Sequence, residues 1–345
     1  LLASSAASDV YKRQVIQKEL VMDKKRKGII TENKVSKVYD WSLGGYKQKV
    51  LVEGRMENLP IVITLHGGPG TPIPFSVGCR GLFPEYTDRF IMVYWDQLGC
   101  GINNYVIDDN FTIDSFVQMT KDLIREVKKV FPHNKVYIFS MSWGSILSAK
   151  ILETDSYIVD GIVVWGQIVK DVFFNEEVLN ALECSNLSKK KSEDIKGIRK
   201  ENVSTKDLQL ISTSIRKYTA GYQNKKGAQA PLGNIIKGLL TSPDYKMKDF
   251  KAMIVNGFQK NQSLWKEILA LDLSHLLRKV QIPYIILQGD TDIVASTERV
   301  SELVKESNNE NLQCEIIKNS GHMPESEGMD RVFEKLCQLK EEHYK

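Results

Sequence analysis

Continuous apolar runs alternate with helix-spaced ones along the first half of the chain. Pro60-Ile-Val-Ile-Thr-Leu65 and Phe90-Ile-Met-Val-Tyr-Trp95 are the pattern of strands buried on both faces. Val136–Phe139 and Ile158–Trp165 predict two more. Ahead of them, Lys34–Asp40 and Tyr46–Val52 alternate apolar with polar around Gly44-Gly45, which predicts a hairpin. Ile113, Phe116, Val117, Leu123, Ile124 and Val127 fall at helical spacing and predict a helix over 112–130, with Thr112 or Asp114 near its start. Ile146–Leu152 follows the Val136–Phe139 run as a second helix. Strand and helix in succession predict an α/β fold, with a mostly parallel sheet covered on both faces.

The rhythm breaks at Gly166. Helical patches follow (Asn175–Cys184, Asp207–Tyr218, Ile235–Leu240 and Lys248–Phe258), with the lysine-rich stretch Ser185–Thr205 as a solvated helix face or loop. It resumes with the strand Pro283–Gln288, a helix over Thr297–Glu306, the strand Gln313–Lys318 and a helix over Met329–Lys340. The expected organisation is a core over 30–165 and 268–345, interrupted by a helical cap over 166–267. Residues 1–29 are expected to be disordered or foreign to the fold. Within them, 1–14 (LLASSAASDVYKRQ) has neither an apolar signal region nor core periodicity, and resembles translated adapter sequence. A signal or anchor lost upstream stays open.

Composition narrows the class. The chain has 345 residues, 42% hydrophobic and 26% charged, the balance of an ordinary globular protein. Its net charge of +4 is mild and its lysines are scattered among acids, so no nucleic-acid partner is expected. Five cysteines, Cys79, Cys100, Cys184, Cys314 and Cys337, lack metal or redox spacing. They suit free thiols in a reducing compartment, and the expected location is the cytoplasm. No apolar run is long enough to span a membrane. No metal or cofactor is implied.

The chemistry gathers at strand ends. Residues 135–151 run from a strand through Ser140-Met-Ser-Trp-Gly-Ser145 directly into a helix, the context of a nucleophile elbow around Ser142. Ser140 stands where that motif usually has glycine; the position asks for a small side chain. Three other strand ends carry His66-Gly-Gly-Pro-Gly70, Gly289-Asp-Thr-Asp292 and Ser320-Gly-His322. In a parallel sheet such ends lie along one edge, where functional loops collect. Serine, then aspartate, then histidine is the chain order of α/β-hydrolase triads.

On HGGPG (66–70), DQLGCG (96–101), SMSWGS (140–145), GDTD (289–292) and GH (321–322), the chain resembles the α/β-hydrolase superfamily, and within it the proline iminopeptidase-like branch. The resemblance implies an α/β-hydrolase fold and a serine hydrolase working through an acyl-enzyme. Ser142 would be the nucleophile and His322 its base. Asp292 would orient the imidazole, with Asp290 as fallback. The backbone N–H groups of Gly68 and Trp143 would form the oxyanion hole, and the Trp143 ring would pack beside the pocket. His66 is read as structural, Asp96-Gln97 as shaping the neighbouring loop, and His133, His275 and His343 as ordinary. Ser140, Leu98 and Asn103 depart from the branch's pattern and leave peptidase specificity open.

Three functions remain. The first is an aminopeptidase on short peptides or amides, proline-releasing above all. Iminopeptidases hold the substrate's free amine with cap acids, and the candidates here are Asp171, Glu176, Glu177 and Glu183. The second is a carboxylesterase or lactonase of small acyl substrates, and the third a non-catalytic small-molecule receptor. Epoxide hydrolases and dehalogenases are disfavoured because they usually place aspartate at the elbow.

Overall fold

A computed structural model of the chain describes residues 24–71, 80–224, 241–255, 258 and 261–342. Eight strands form one sheet in the order β1-β2-β4-β3-β5-β6-β7-β8. They are β1 Val35–Leu43, β2 Tyr46–Gly54, β3 Ile61–Leu65, β4 Ile91–Tyr94, β5 Val136–Met141, β6 Gly161–Trp165, β7 Tyr284–Gly289 and β8 Leu312–Ile317. The β1–β2 hairpin pairs antiparallel, as does β2 with β4, and every pairing from β4 to β8 is parallel.

The pleat explains the continuous apolar runs. Along β5, Val136 and Ile138 enter one core cluster while Tyr137, Phe139 and Met141 enter the other. The first cluster is closed by the helices Ile113–Val130, Trp143–Ile151 and Thr297–Ser307. The second is closed by Tyr86 and by Val332, Leu336 and Leu339 of the C-terminal helix Ser326–Glu342. With helices on both faces, every residue of β3 through β7 is buried. The helix expected over 112–130 starts where its cap says: the Thr112 side chain accepts from Ser115 N, and Ser115 reciprocates on Thr112 N.

A helix over 24–32 begins inside the stretch set aside as disordered. Arg26 on it is 3% exposed and donates to Thr241 Oγ1 and Arg80 O. Between β6 and β7 the described residues hold no strand, only helices and turns, among them Glu176–Glu183, Lys189–Gly197, Thr205–Tyr218, Met247–Ile254 and Gln262–Ala270. The lysine-rich stretch thus supplies one exposed α-helix and the short 3-10 turn Lys200–Asn202, and the helix expected over Ile235–Leu240 lies outside the described residues. Parallel pairing puts the C-terminal ends of β3, β4, β5, β6, β7 and β8 at one edge; the chain leaves β6 there, and the 166–283 segment crosses back to the opposite edge to enter β7.

Candidate active site

At the end of β5 the chain turns within one residue. Ser142 adopts φ 50° and ψ −117° between the strand and the Trp143–Ile151 helix. A non-glycine residue held at positive φ costs on the order of 1–3 kcal/mol and persists where its surroundings over-determine it. Here Ser142 N donates to Trp165 O at 3.0 Å and Ser142 O accepts from Ser145 N at 2.7 Å. Gly144 is required by close approach, because a Cβ there would lie 2.2 Å from Leu65 O. Ser140 has a different explanation. Its hydroxyl is 2.9 Å from Ser148 Oγ, in a buried network that continues through Tyr284 and Gln167 back to Ser145. The position tolerates serine because a helix hydroxyl faces it.

The three expected side chains meet. Ser142 Oγ is 2.8 Å from His322 Nε2, and His322 Nδ1 is 2.9 Å from Asp292 Oδ2. With Nδ1–H donating to the carboxylate, Nε2 is left to accept the serine proton. Asp292, fully buried, also accepts from Gln288 Nε2 at 3.0 Å through Oδ2, and from Val294 N and Ala295 N through Oδ1. Asp290 serves elsewhere: its Oδ1 accepts from Ser320 N and holds the histidine loop. That loop is gripped from a second side, since His322 N donates to Gly221 O and Met323 N to Tyr222 O. A Cβ on Gly321 would come within 2.7 Å of Tyr222 C, so only glycine permits this approach.

The His66–Gly70 turn passes beside Ser142. A Cβ on Gly67 would stand 3.5 Å from the Ser142 Cβ, and Gly68 takes φ +123°, closed to a side chain by Gly70 N and Thr71 N. Trp143, as the first helical residue, has an N–H with no intrahelical acceptor. His66 does not face the cavity chemistry. Gln97 N donates to its Nε2 at 3.0 Å, so the ring proton sits on Nδ1 and donates to Gly67 O at 2.8 Å. Burial drives its pKa down to about 4, and the ring is a neutral brace for the turn. Gln97 completes the brace by donating to His66 O and accepting from Trp143 Nε1 at 2.7 Å. Asp96 accepts from Ile102 N and Tyr245 OH, and burial pushes its carboxyl up to about 6.

Two expectations change. The Trp143 ring is 1% exposed and packs edge-on against Phe116, beneath the site rather than beside its cavity. None of the four proposed amine-binding acids lines the cavity. Asp171 is paired with Lys200 and Arg299, Glu183 with Lys196, and Glu176 is exposed on the first turn of its helix. Glu177 is half-buried, bonded to Ser296, with its carboxyl raised by burial. Local helix pattern could not show where these side chains point.

Sequence reasoning also missed supporting residues. Gly166, at φ +67°, lies so close under the imidazole that a Cβ would be 3.3 Å from His322 Cε1 and Nδ1. Trp165 Nε1 donates to His322 O at 3.1 Å. The available signals were a glycine at the end of β6, beside the Ser142 strand, and a buried amide, Gln288, near the end of β7, one strand further on.

A cavity of about 500 Å³ opens over Ser142 and His322. Met141, Phe173, Phe258, Trp265, Val294 and Met323 give it an apolar wall, and Gly67 and Gly68 border it. A nucleophile, a base, an orienting carboxylate and two glycine-rich backbone turns suit attack on an acyl carbon. Among the described residues no group of three or more His, Cys, Asp or Glu could hold a metal ion. Nor is any helix among them long and apolar enough to cross a membrane.

The profile of the family described as alpha/beta hydrolase fold matches residues 60–328. The chain is 23% identical over 295 residues to the probable aminopeptidase YbaC of Bacillus subtilis, covering 83% of this chain and 90% of that protein. It is 22% identical over 294 residues to a proline iminopeptidase of Thermoplasma volcanium, covering 82% and 89%. Among solved structures it resembles the carboxylesterase CesB of Bacillus subtilis, with TM-score 0.54, 14% identity, and coverage of 94% of this chain and 98% of that one.

Proposed function

The chain belongs to the alpha/beta hydrolase fold family, and from that premise we propose that it is a serine hydrolase cleaving small esters or amides through an acyl-enzyme at Ser142. One observation carries the reading: the Ser142–His322–Asp292 relay, at 2.8 and 2.9 Å, on the floor of the cavity. Ser142 Oγ attacks the acyl carbon as His322 Nε2 takes its proton. The backbone N–H groups of Gly68 and Trp143 receive the oxyanion, each worth roughly 2.7–4 kcal/mol of barrier. His322 returns the proton to the leaving group. It then draws a proton from water, which attacks the acyl-enzyme and frees the acid. Asp292 keeps the imidazole in the tautomer that accepts at Nε2 and offsets its positive charge.

Two substrate readings divide on separate observations. The names of the full-length relatives favour an aminopeptidase that releases an N-terminal residue, proline above all. That reading needs a carboxylate for the substrate's buried ammonium. The cavity lining contains no Asp or Glu among the described residues, which favours esters or amides without a free amine. A fluorophosphonate should label Ser142, and Ser142→Ala should abolish both labelling and turnover. Folded wild-type protein that takes no label ends the hydrolase reading. Proline and alanine naphthylamides set against p-nitrophenyl esters decide the substrate, with turnover of the naphthylamides alone favouring the aminopeptidase.

A further inference from the structure

The charge of the cavity wall speaks to the substrate. The helix Thr205–Tyr218 presents Thr205, Gln209, Ser212 and Arg216 to the cavity, a stripe at i, i+4, i+7 and i+11. Ile211 and Ile215 take the buried side. The stripe is polar, and its one charge is the cation at its end. The Arg216 guanidinium carbon lies 4.6 Å from the centre of the Tyr222 ring, and that ring is centred 6.0 Å from the His322 ring. Arg216 therefore stands one aromatic ring away from the proposed base. Lys206 adds a second cation to the lining.

Among the described residues that line the cavity there is no Asp or Glu to offset them. Asp207, next to Lys206 in sequence, is turned back to accept from Ser204 N and Oγ. Asp171 is held by Lys200 and Arg299. A cavity walled by apolar side chains and cations of one sign concentrates that sign's field on whatever enters it. A free ammonium would be repelled and left without a partner. A carboxylate would find a fork of donors matched to its shape.

From this we infer that the enzyme's substrate carries a free carboxylate, seated against Arg216 with Lys206 assisting, and joined by an apolar chain to the scissile acyl group at Ser142. This deepens the hydrolase reading and rests on it. The apolar wall of Phe173, Phe258 and Trp265 takes the connecting chain. Half-esters and half-amides of dicarboxylic acids are the simplest members of the class.

Three chain-matched p-nitroanilides test it: those of glutaric acid (a terminal carboxylate), valeric acid (neutral) and 5-aminopentanoic acid (an ammonium). Binding to Ser142→Ala is measured by titration calorimetry, so that charge preference is read without turnover. The carboxylate should bind about tenfold or more tighter than the neutral compound, the range of a hydrogen bond to a charged group, and the ammonium most weakly. Adding Arg216→Ala should remove the tenfold preference and bring the carboxylate to the level of the neutral compound measured on the same variant. Arg216 and Lys206 are both exposed, so neither substitution empties the core, and Lys206→Ala should give a second, smaller reduction. A carboxylate that binds no tighter than the neutral compound, including no binding of either, overturns the inference. So does a preference that survives both Arg216→Ala and Lys206→Ala. Absence of fluorophosphonate labelling of Ser142 would instead remove the hydrolase reading and leave the binding result standing.

Discussion

Gly144→Ala probes the turn that carries Ser142. A Cβ at this position would lie 2.2 Å from Leu65 O, 2.8 Å from Leu65 C and 2.9 Å from His66 O. All three are backbone atoms at the end of β3, so no side-chain rotation relieves the overlap. Non-bonded heavy atoms settle at roughly 3.5 Å, so the Trp143–Ile151 helix and the end of β3 must part by about 1 Å. β3 runs on into His66-Gly67-Gly68, and the helix begins one residue after Ser142. The displacement that admits a methyl group therefore also separates Ser142 from its proposed oxyanion donor. A misplacement of this size costs roughly 10²-fold in rate. Overpacking adds about 1–3 kcal/mol of destabilisation. The assays are the second-order rate of fluorophosphonate labelling, kcat/KM on a p-nitrophenyl ester, and urea unfolding. Ser140→Ala is the control. It removes the 2.9 Å contact with Ser148 Oγ but introduces no clash, and Ser148 keeps its bond to Ser145 O. It should cost about 1 kcal/mol of stability and leave labelling nearly unchanged. Wild-type labelling and stability in Gly144→Ala would refute the steric argument.

Asp292→Asn should preserve the fold yet lower kcat by about 10⁴-fold, the scale seen when a triad carboxylate becomes an amide. The amide oxygen will stay with Val294 N and Ala295 N, which turns the NH₂ toward His322 Nδ1 and traps the wrong tautomer. A loss below tenfold would contradict this. Asp96 and His66 should pull stability in opposite directions with pH. The Asp96 carboxyl, raised by burial from 3.8 to about 6, binds more protons folded than unfolded in that window. Its contribution is present below about pH 4 and lost as pH rises through 6. The His66 ring, lowered from 6.5 to about 4, contributes above pH 6.5 and loses that contribution as pH falls through 4. The wild type should therefore show a muted slope, while the unfolding free energy of Asp96→Asn minus that of wild type grows from pH 4 to 7, by at most about 3 kcal/mol. A difference that stays flat across that window would count against the buried-carboxylate account.

Much of this protein was legible along the chain. The strand runs reflect burial on both faces of a sheet, a property each strand carries in its own residues. Of the two start candidates, Thr112 or Asp114, the cap is Thr112, a choice settled within four residues by its exchange of bonds with Ser115. Ser142, Asp292 and His322 could be read together because parallel pairing brings distant strand ends to one edge, so a strand-end motif has a known address. Even Ser140 was readable as a small residue, although its reason, the hydroxyl of Ser148, was not.

Tertiary structure decided what local pattern cannot encode. Gly166 under the imidazole and the Gln97–Trp143 bond each join residues from different strand ends, and the Gln288–Asp292 bond closes the turn at the end of β7. Their value lies in distances that no periodicity expresses. The four acids proposed for an amine were chosen by type alone; once folded, two were paired with cations and none reached the cavity. Arg216 and Lys206, unremarked in a lysine-rich sequence, became the charge of its wall. A side chain's chemistry is written in the sequence, but what it faces is set by packing between distant segments, and substrate preference follows from what it faces.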